Sequence, residues 1–345
     1  MNLRRIVVRL PNWLGDGVMA VPALRALRRR FPAAEIVLHG RGAFEPLLAD
    51  AGLFDRFDPR GRSGTAEQAA ALARLEADAI VILPHSVRSA VEAWRAGIPV
   101  RLGYERDGRS RLLTHTLSPH RGARGIVPVP MHQQYLELVG VLGADGDVSD
   151  GALGAGEEAC AAADRWLAER GIGPGERPLA LNPGASFGPS KVYPPRLLAA
   201  AARRAAAGRD LPVLILCGPG EEALAEEVER ELRTGADPSL RIASAASAPP
   251  ALDVLKGVLR RVAVLITTDS GPRHMATALD VPTVVVMGPT DPRFTAARLE
   301  RSVVLRVDVP CGPCHEKVCP LDHRCMTEIA PEEVAAAAEV LAGFH

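Results

Sequence analysis

The sequence predicts an α/β protein made of two doubly wound, Rossmann-like domains in tandem, and three observations carry that reading. Short β-branched runs alternate with amphipathic stretches rich in Ala, Leu and Arg, the rhythm of repeated β-α winding around a parallel sheet. At 345 residues the chain exceeds what one hydrophobic core commonly serves, so two domains of roughly 150 to 200 residues are expected. Over "LGADGDVSDGALGAGEE", residues 142–158, the apolar periodicity lapses and Gly, Asp and Ser gather as in a linker. The expected domains are therefore 1–150 and 157–330, followed by a helical segment at 331–345.

In chain order, "RRIVVRL", "AEIVLHG", "DAIVILP" and "IPVRLGY" read as strands of the first domain, with helices over residues 18–31, "GTAEQAAALARLEA" and "SVRSAVEAWRAG". In the second domain "PLALNPG", "LPVLILCGPG", "VAVLITTDSG" and "VPTVVVMGP" read as strands separated by Ala-rich helices. The last helix opens at Pro331, with Glu332 and Glu333 beside the positive end of its dipole.

Hydrophobic residues make up 47% of the chain and charged residues 24%, the balance of a folded globular protein. No apolar run approaches the roughly 20 residues needed to cross a bilayer. Arg9 and Pro11 interrupt the N-terminal apolar stretch, so no export signal is read there and a cytoplasmic protein is expected. The net charge is zero but unevenly spread. Residues 1–144 hold 20 Lys+Arg against 13 Asp+Glu, and the remainder 21 against 28. A basic first half suits an anionic partner or membrane surface; scattered solvated arginine is the plainer explanation. Nothing calls for nucleic acid.

Four loops after strands in the second half are rich in Gly, Pro and small hydroxyl residues: "LNPGAS" (Asn182, Gly184, Ser186), "CGPGEE" (Gly218, Glu221, Glu222), "TTDSGPRH" (Asp269, Ser270, Gly271, His274) and "MGPTDP" (Gly288, Pro289, Thr290). The C-terminal edge of an open parallel sheet is where ligands bind, so these loops predict a nucleotide site. Lys191, in "FGPSKVYP", is a compact charge suited to a departing diphosphate. Ser270 and the helix start after it could bind an anion or simply cap the helix. "CGPGEEA" fits a dinucleotide fingerprint, but Glu221 and Glu222 stand where pyrophosphate would sit; a ribose diol suits a glutamate better. "GAGEEA" at 154–159 follows no strand, and Asp145 and Asp147 form a D-x-D in the linker, away from any strand end.

In the first half, "RLPNWLGDGVMAVPALRAL" places Asp16 between Gly15 and Gly17, next to Trp13, in a strand-to-helix turn. A carboxylate there opposes phosphate. The loop at 100–125 carries Arg101, Arg106, Arg109, Arg111, Arg121 and Arg124, either solvated or facing an anionic acceptor. Cys311, Cys314, Cys319 and Cys325 form C-x2-C-x4-C-x5-C. Structural zinc, free or redox-active thiols, and disulfides all remain open for them. Cys160 and Cys217 read as small buried hydrophobes.

The segments "PNWLGDGVMAVPALRAL", "RLGYERDGRSRLLTH", "LNPGASFGPSKVYP", "TTDSGPRHMATALDVPTVVVMGPTDP" and "CGPCHEKVCPLDHRCM" together resemble glycosyltransferase family 9, the ADP-heptose:lipopolysaccharide heptosyltransferases, and most of all its heptosyltransferase II branch. The resemblance spans both domains. It implies a GT-B fold, two Rossmann-like domains facing across a cleft, with the C-terminal helix packed back on the N-terminal domain. It also implies inverting, metal-independent transfer of heptose from ADP-heptose to an inner-core heptose of lipopolysaccharide, without a cofactor, at the cytoplasmic face of the inner membrane. By motif match Asp16 is the base and Lys191 meets the diphosphate. Asn182, Gly184, Ser186, Gly218, Asp269, Ser270, Gly271, His274, Gly288, Pro289 and Thr290 then line the donor site, and Glu221 or Glu222 meets the ribose. Trp13, Gly15, Arg101 and Arg109 fall to the acceptor. Relatives on the heptosyltransferase I side carry a histidine where this chain has Met19. Alternatives are another glycolipid or protein acceptor, or a nucleotide-binding module or dehydrogenase built on "CGPGEEA".

Overall fold

A computed structural model describes residues 3–123, 125–234 and 237–343; Arg124 lies outside the described residues. The chain divides into two compact units: residues up to Leu153 together with Arg293–Ala297, and Gly154–Pro292 together with Arg298 onward. The break falls inside the Gly/Asp/Ser-rich stretch.

The first unit runs β1 (Arg5–Arg9), α1 (Leu14–Met19), α2 (Val21–Arg30), β2 (Glu35–Gly40), α3 (Phe44–Leu48), β3 (Arg56–Pro59), α4 (Thr65–Ala73), β4 (Ala79–Ile82), α5 (Val87–Arg95), β5 (Val100–Tyr104), β6 (His115–Leu117), the short pair β7 (Arg121–Gly122) and β8 (Gly125–Ile126), and α6 (Met131–Gly140). Its main sheet has the order β3-β2-β1-β4-β5-β6, with every pairing parallel. The β-branched runs fill the central strands because both faces are covered by helices. Val7, Val37, Ile80 and Ile82 are fully buried among Leu72, Ala90 and Ala93 from α4 and α5.

The second unit runs α7 (Glu157–Ala168), β9 (Leu179–Asn182), α8 (Pro195–Ala206), β10 (Val213–Ile215), α9 (Glu222–Arg233), β11 (Ile242–Ser244), α10 (Leu252–Arg261), β12 (Val264–Thr268), α11 (Gly271–Ala278), β13 (Thr283–Val286), β14 (Ser302–Leu305), α12 (Arg324–Thr327) and α13 (Pro331–Ala342). Its order, β11-β10-β9-β12-β13-β14, repeats the first, again all parallel. This 3-2-1-4-5-6 arrangement is the doubly wound order with a switch point between the first and fourth strands.

Two expectations change. The helix expected over 18–31 is two helices, and it begins earlier, at Leu14. Pro22 has no N–H to continue α1, so the chain restarts at Val21 with the proline in the first turn of α2. The C-terminal helix belongs to the second unit: Val334, Ala335 and Ala338 of α13 enter its core beside Leu198, Ala202 and Ala205 of α8. Both helices carry runs of alanine, which allow close approach, and Arg209 pairs with Glu339 at 3.4 Å along the seam.

Candidate active site

The four loops singled out in the second half converge at the C-terminal edge of their sheet. Asn182 ends β9 and donates from its side chain to Thr267 Oγ1 and Ser270 Oγ, both at 3.2 Å, while Thr268 Oγ1 donates to the Gly184 carbonyl at 3.0 Å. The loops after β9 and β12 are thereby locked together. The centre is Asp269. Its Oδ2 accepts from Lys191 Nζ at 2.6 Å and from Thr290 Oγ1 at 2.8 Å, and its Oδ1 accepts from Arg273 at 2.5 Å, with His274 Nε2 at 3.9 Å. Lys191 Nζ also donates to the Asp269 carbonyl at 3.0 Å. Burial alone would raise the Asp269 pKa, but the charges of Arg273, Lys191 and His274 outweigh it and hold the carboxyl far below its ordinary range. One buried anion thus fixes residues from the Lys191 loop, the β12 loop and the β13 loop.

Ser270 stands at the N-cap of α11 without a side-chain capping bond, since its hydroxyl is engaged by Asn182 and Thr267. Between the two glutamates the geometry is unequal. Glu221 accepts from the Gly218 N–H at 3.0 Å, and its carboxylate lies so close to Gly184 that a Cβ there would stand 2.1–2.4 Å from it. Burial, with the Glu222 charge adding to it, raises the Glu221 pKa. Glu222 turns back onto the Gly220 N–H at 2.8 Å, and the N–H groups of Glu222 itself and Gly220 lower its pKa. The neighbouring Cys217 thiol is pushed up to about 11 by burial and then by Glu222 and Glu221. Gly288 and Pro289 are buried behind Thr290, whereas Ser186 is exposed.

In the first unit Asp16 is the third residue of α1, near the positive end of that helix, half-buried beside the exposed Trp13 at the N-cap. Tyr135 of α6 is fully buried, and its phenol is held well above its ordinary value by burial first and the Asp16 charge second. Gly15 is buried in α1. Gly17 answers to packing: a Cβ there would lie 2.0 Å from the Phe44 ring.

The two arginines expected at the acceptor bond to backbone carbonyls of their own unit. Arg109 is fully buried and donates to the carbonyls of Tyr104 (2.7 Å), Pro84 (2.6 Å) and Ser86 (3.1 Å), so it ties β5 to the loop after β4. Arg101, level with Val7 in the middle of the sheet register, donates to the Leu112 and Ile98 carbonyls at 2.7 and 2.6 Å. These bonds are all within the first unit. The D-x-D in the linker is also structural, Asp147 capping a single turn through the Ser149 N–H.

A buried ionic group at the C-terminal edge of the first sheet was not anticipated. Arg9, 3% exposed, ends β1 and donates to the Leu10 carbonyl at 2.7 Å. Burial and then the Arg60 charge push its pKa down to about 10. Glu92 of α5 accepts from Arg60 at 3.2 Å and Arg88 at 2.8 Å, and His39 meets Asp58 at 2.7 Å. A charged residue closing an apolar strand was the available signal. Nearby His85 is held neutral, its pKa lowered to about 4 by burial and then by Arg109 and Arg106.

All six cysteines are free, and among the described residues no group of three or more His, Cys, Asp or Glu side chains is assembled to hold a metal. No described helix is long and apolar enough to cross a membrane.

Comparison with known proteins agrees with this architecture. The family model for glycosyltransferase family 9 (heptosyltransferase) matches residues 67–324. Lipooligosaccharide heptosyltransferase 2 of Campylobacter jejuni is 25% identical over 96% of both chains, and lipopolysaccharide heptosyltransferase 2 of Escherichia coli is 25% identical over 96% of both. Among solved structures, E. coli ADP-heptose lps heptosyltransferase II superposes with a TM-score of 0.78 over 98% of both chains at 23% identity. A family 9 glycosyl transferase from Veillonella parvula gives 0.79 over 100% and 99% at 21%.

Proposed function

Since the chain belongs to glycosyltransferase family 9 (heptosyltransferase) and has the GT-B fold of its structural neighbours, we propose that it transfers heptose from ADP-heptose to an inner-core heptose of lipopolysaccharide. The observation that carries the donor side is the Asp269 hub. It presents Lys191 and Thr290 beside the α11 N-terminus, at a sheet edge suited to a nucleoside diphosphate. Lys191 has three N–H groups, of which Asp269 takes two, so one is left for a diphosphate oxygen by count. Glu221, wedged against Gly184, is the residue for the ribose diol.

The reaction proceeds with inversion and without a metal. An acceptor hydroxyl attacks the anomeric carbon from the face opposite ADP, the bond from that carbon to the diphosphate oxygen breaks, and Asp16 takes the hydroxyl proton. An ordinary carboxylate is a weak base for a sugar hydroxyl, but proton transfer late in bond cleavage suffices. Lys191 and the oriented N–H groups stabilise the charge that grows on the leaving diphosphate. The exposed Trp13 offers the acceptor sugar an apolar face. The anionic acceptor and the basic first half support peripheral association with the cytoplasmic face of the inner membrane.

The test is turnover of ADP-heptose with a panel of truncated core lipids, products read by mass spectrometry. Transfer of one heptose to a heptose-terminated core is expected. Transfer only to another glycolipid or a protein would keep the enzyme and replace the acceptor. Tight NAD binding without ADP binding would overturn the reading altogether.

A further inference from the structure

We infer that the cysteine-bearing segment 311–325 is a strap that positions the donor's diphosphate-binding loops, with His323 and Ser190 as its positioning residues; this rests on the donor reading above. Ser190, adjacent to Lys191, is buried, and the strap takes all three of its polar groups. Its N–H donates to the Lys317 carbonyl at 3.1 Å, its hydroxyl donates to the Glu316 carbonyl at 2.5 Å, and its own carbonyl accepts from His323 Nε2 at 2.6 Å. Gly188 lies so close that a Cβ there would stand 2.5 Å from the Lys317 carbonyl oxygen. The second loop is held likewise: the His315 N–H donates to the Pro289 carbonyl at 2.9 Å, and Gly288 packs on Cys325 and Met326.

The strap's far end is anchored, since Met326 and Ile329 are buried in the core of the second unit and the Ile329 carbonyl accepts from Tyr193 at 2.8 Å. Between its ends it adds little to that core, Val318 and Leu321 being 65% and 67% exposed. Among the described residues, its hydrogen bonds include those to the loops bearing Lys191 and Thr290. His315 and His323 both have left-handed backbone, at φ 57° and 58°. Such conformations are unfavourable for residues with a Cβ and concentrate where function holds them in place.

The experiment compares wild type, His323→Leu and His323→Gln. Both variants carry the same backbone strain, but glutamine keeps a donor at the Nε2 position. In His323→Leu, amide exchange across 188–191 and 288–290 should rise about tenfold, with ADP affinity by calorimetry and donor KM weakened by a similar factor. Acceptor KM and the melting transition should stay near wild type, and His323→Gln should recover most of the loss. Wild-type exchange and ADP affinity in His323→Leu would overturn the inference, as would equal impairment in both variants. Wild-type protein that fails to bind ADP would overturn the donor reading and this inference with it; ADP binding unaffected by His323→Leu would overturn this inference alone.

Discussion

The two sheets share one strand order and dress their C-terminal edges in opposite ways. In the second unit the edge is made of Asn, Gly, Thr and Ser, and its central carboxylate, Asp269, is buried beneath Lys191, Thr290 and Arg273. In the first, Arg9 and Arg109 are sunk against backbone carbonyls, the buried Glu92 accepts from Arg60 and Arg88, and a second carboxylate, Asp16, is half-buried beside Trp13. Repetition of a scaffold thus says little about function; the loops decide which charge faces a ligand and which serves the fold. One edge holds a cation in place by a buried anion, which suits the proposed diphosphate, and the other carries a half-buried carboxylate at a helix start, which suits the proposed base.

The contrast is most directly broken by exchanging the charge on each side. Asp16→Asn removes the proton acceptor and should lower kcat by about 10²–10⁴-fold while leaving ADP affinity by calorimetry unchanged; wild-type turnover would remove Asp16 from the base role. Asp269→Asn should act in the other sense. Removing the partner of a buried charge costs about 3–5 kcal/mol, so this variant should melt earlier and bind ADP poorly, because Lys191 and Thr290 lose the group that aims them. If Asp269→Asn melts and binds ADP like wild type, the hub is not what positions the lysine.

The first unit's charges can also be read through pH. His85 has its folded pKa lowered to about 4 against about 6.5 unfolded, so between those values the unfolded chain binds more protons. Stability should therefore rise with pH through that window and be level above it, an effect on the order of 3 kcal/mol across its width. Replacing His85 with Gln should flatten the slope, and an NMR titration of the His85 ring should find it neutral at pH 6. A midpoint near 6.5 would show that neither burial nor the Arg109 and Arg106 charges hold it neutral.

The parts of the molecule legible in sequence were those written locally. Apolar strands such as "AEIVLHG" and "VPTVVVMGP" announce β2 and β13 because both faces are buried, and Gly- and Thr-rich strand ends mark the donor loops. The edge strand β3 was missed because Arg56–Pro59 mixes Arg, Phe, Asp and Pro and is only partly buried. The surroundings of Arg101 in β5 and of Arg109 in the turn after it were not legible, because an arginine carries no local sign of whether its guanidinium meets solvent or backbone carbonyls. The partners of Lys191 could not be read either: Asp269 and Thr290 lie 78 and 99 positions away in the chain, and only the sheet order brings them together.

Spacing also left Glu221 and Glu222 equivalent, and the smallest expected effect is the one that separates them. Glu221 is wedged against Gly184 with its pKa raised by burial, whereas Glu222 folds back onto its own turn, where backbone N–H groups lower its pKa. Glu221→Gln should weaken ADP binding about tenfold, the scale of a hydrogen bond to a charged group, with inorganic pyrophosphate affinity unchanged because only the ribose contact is lost. Glu222→Gln should bind both as wild type does. Because Glu221 takes up its proton earlier on acidification than an ordinary glutamate, ADP affinity in wild type should fall with pH before it does in Glu221→Gln. Equal losses from the two variants would mean that the turn between β10 and α9, and not one carboxylate, holds the ribose.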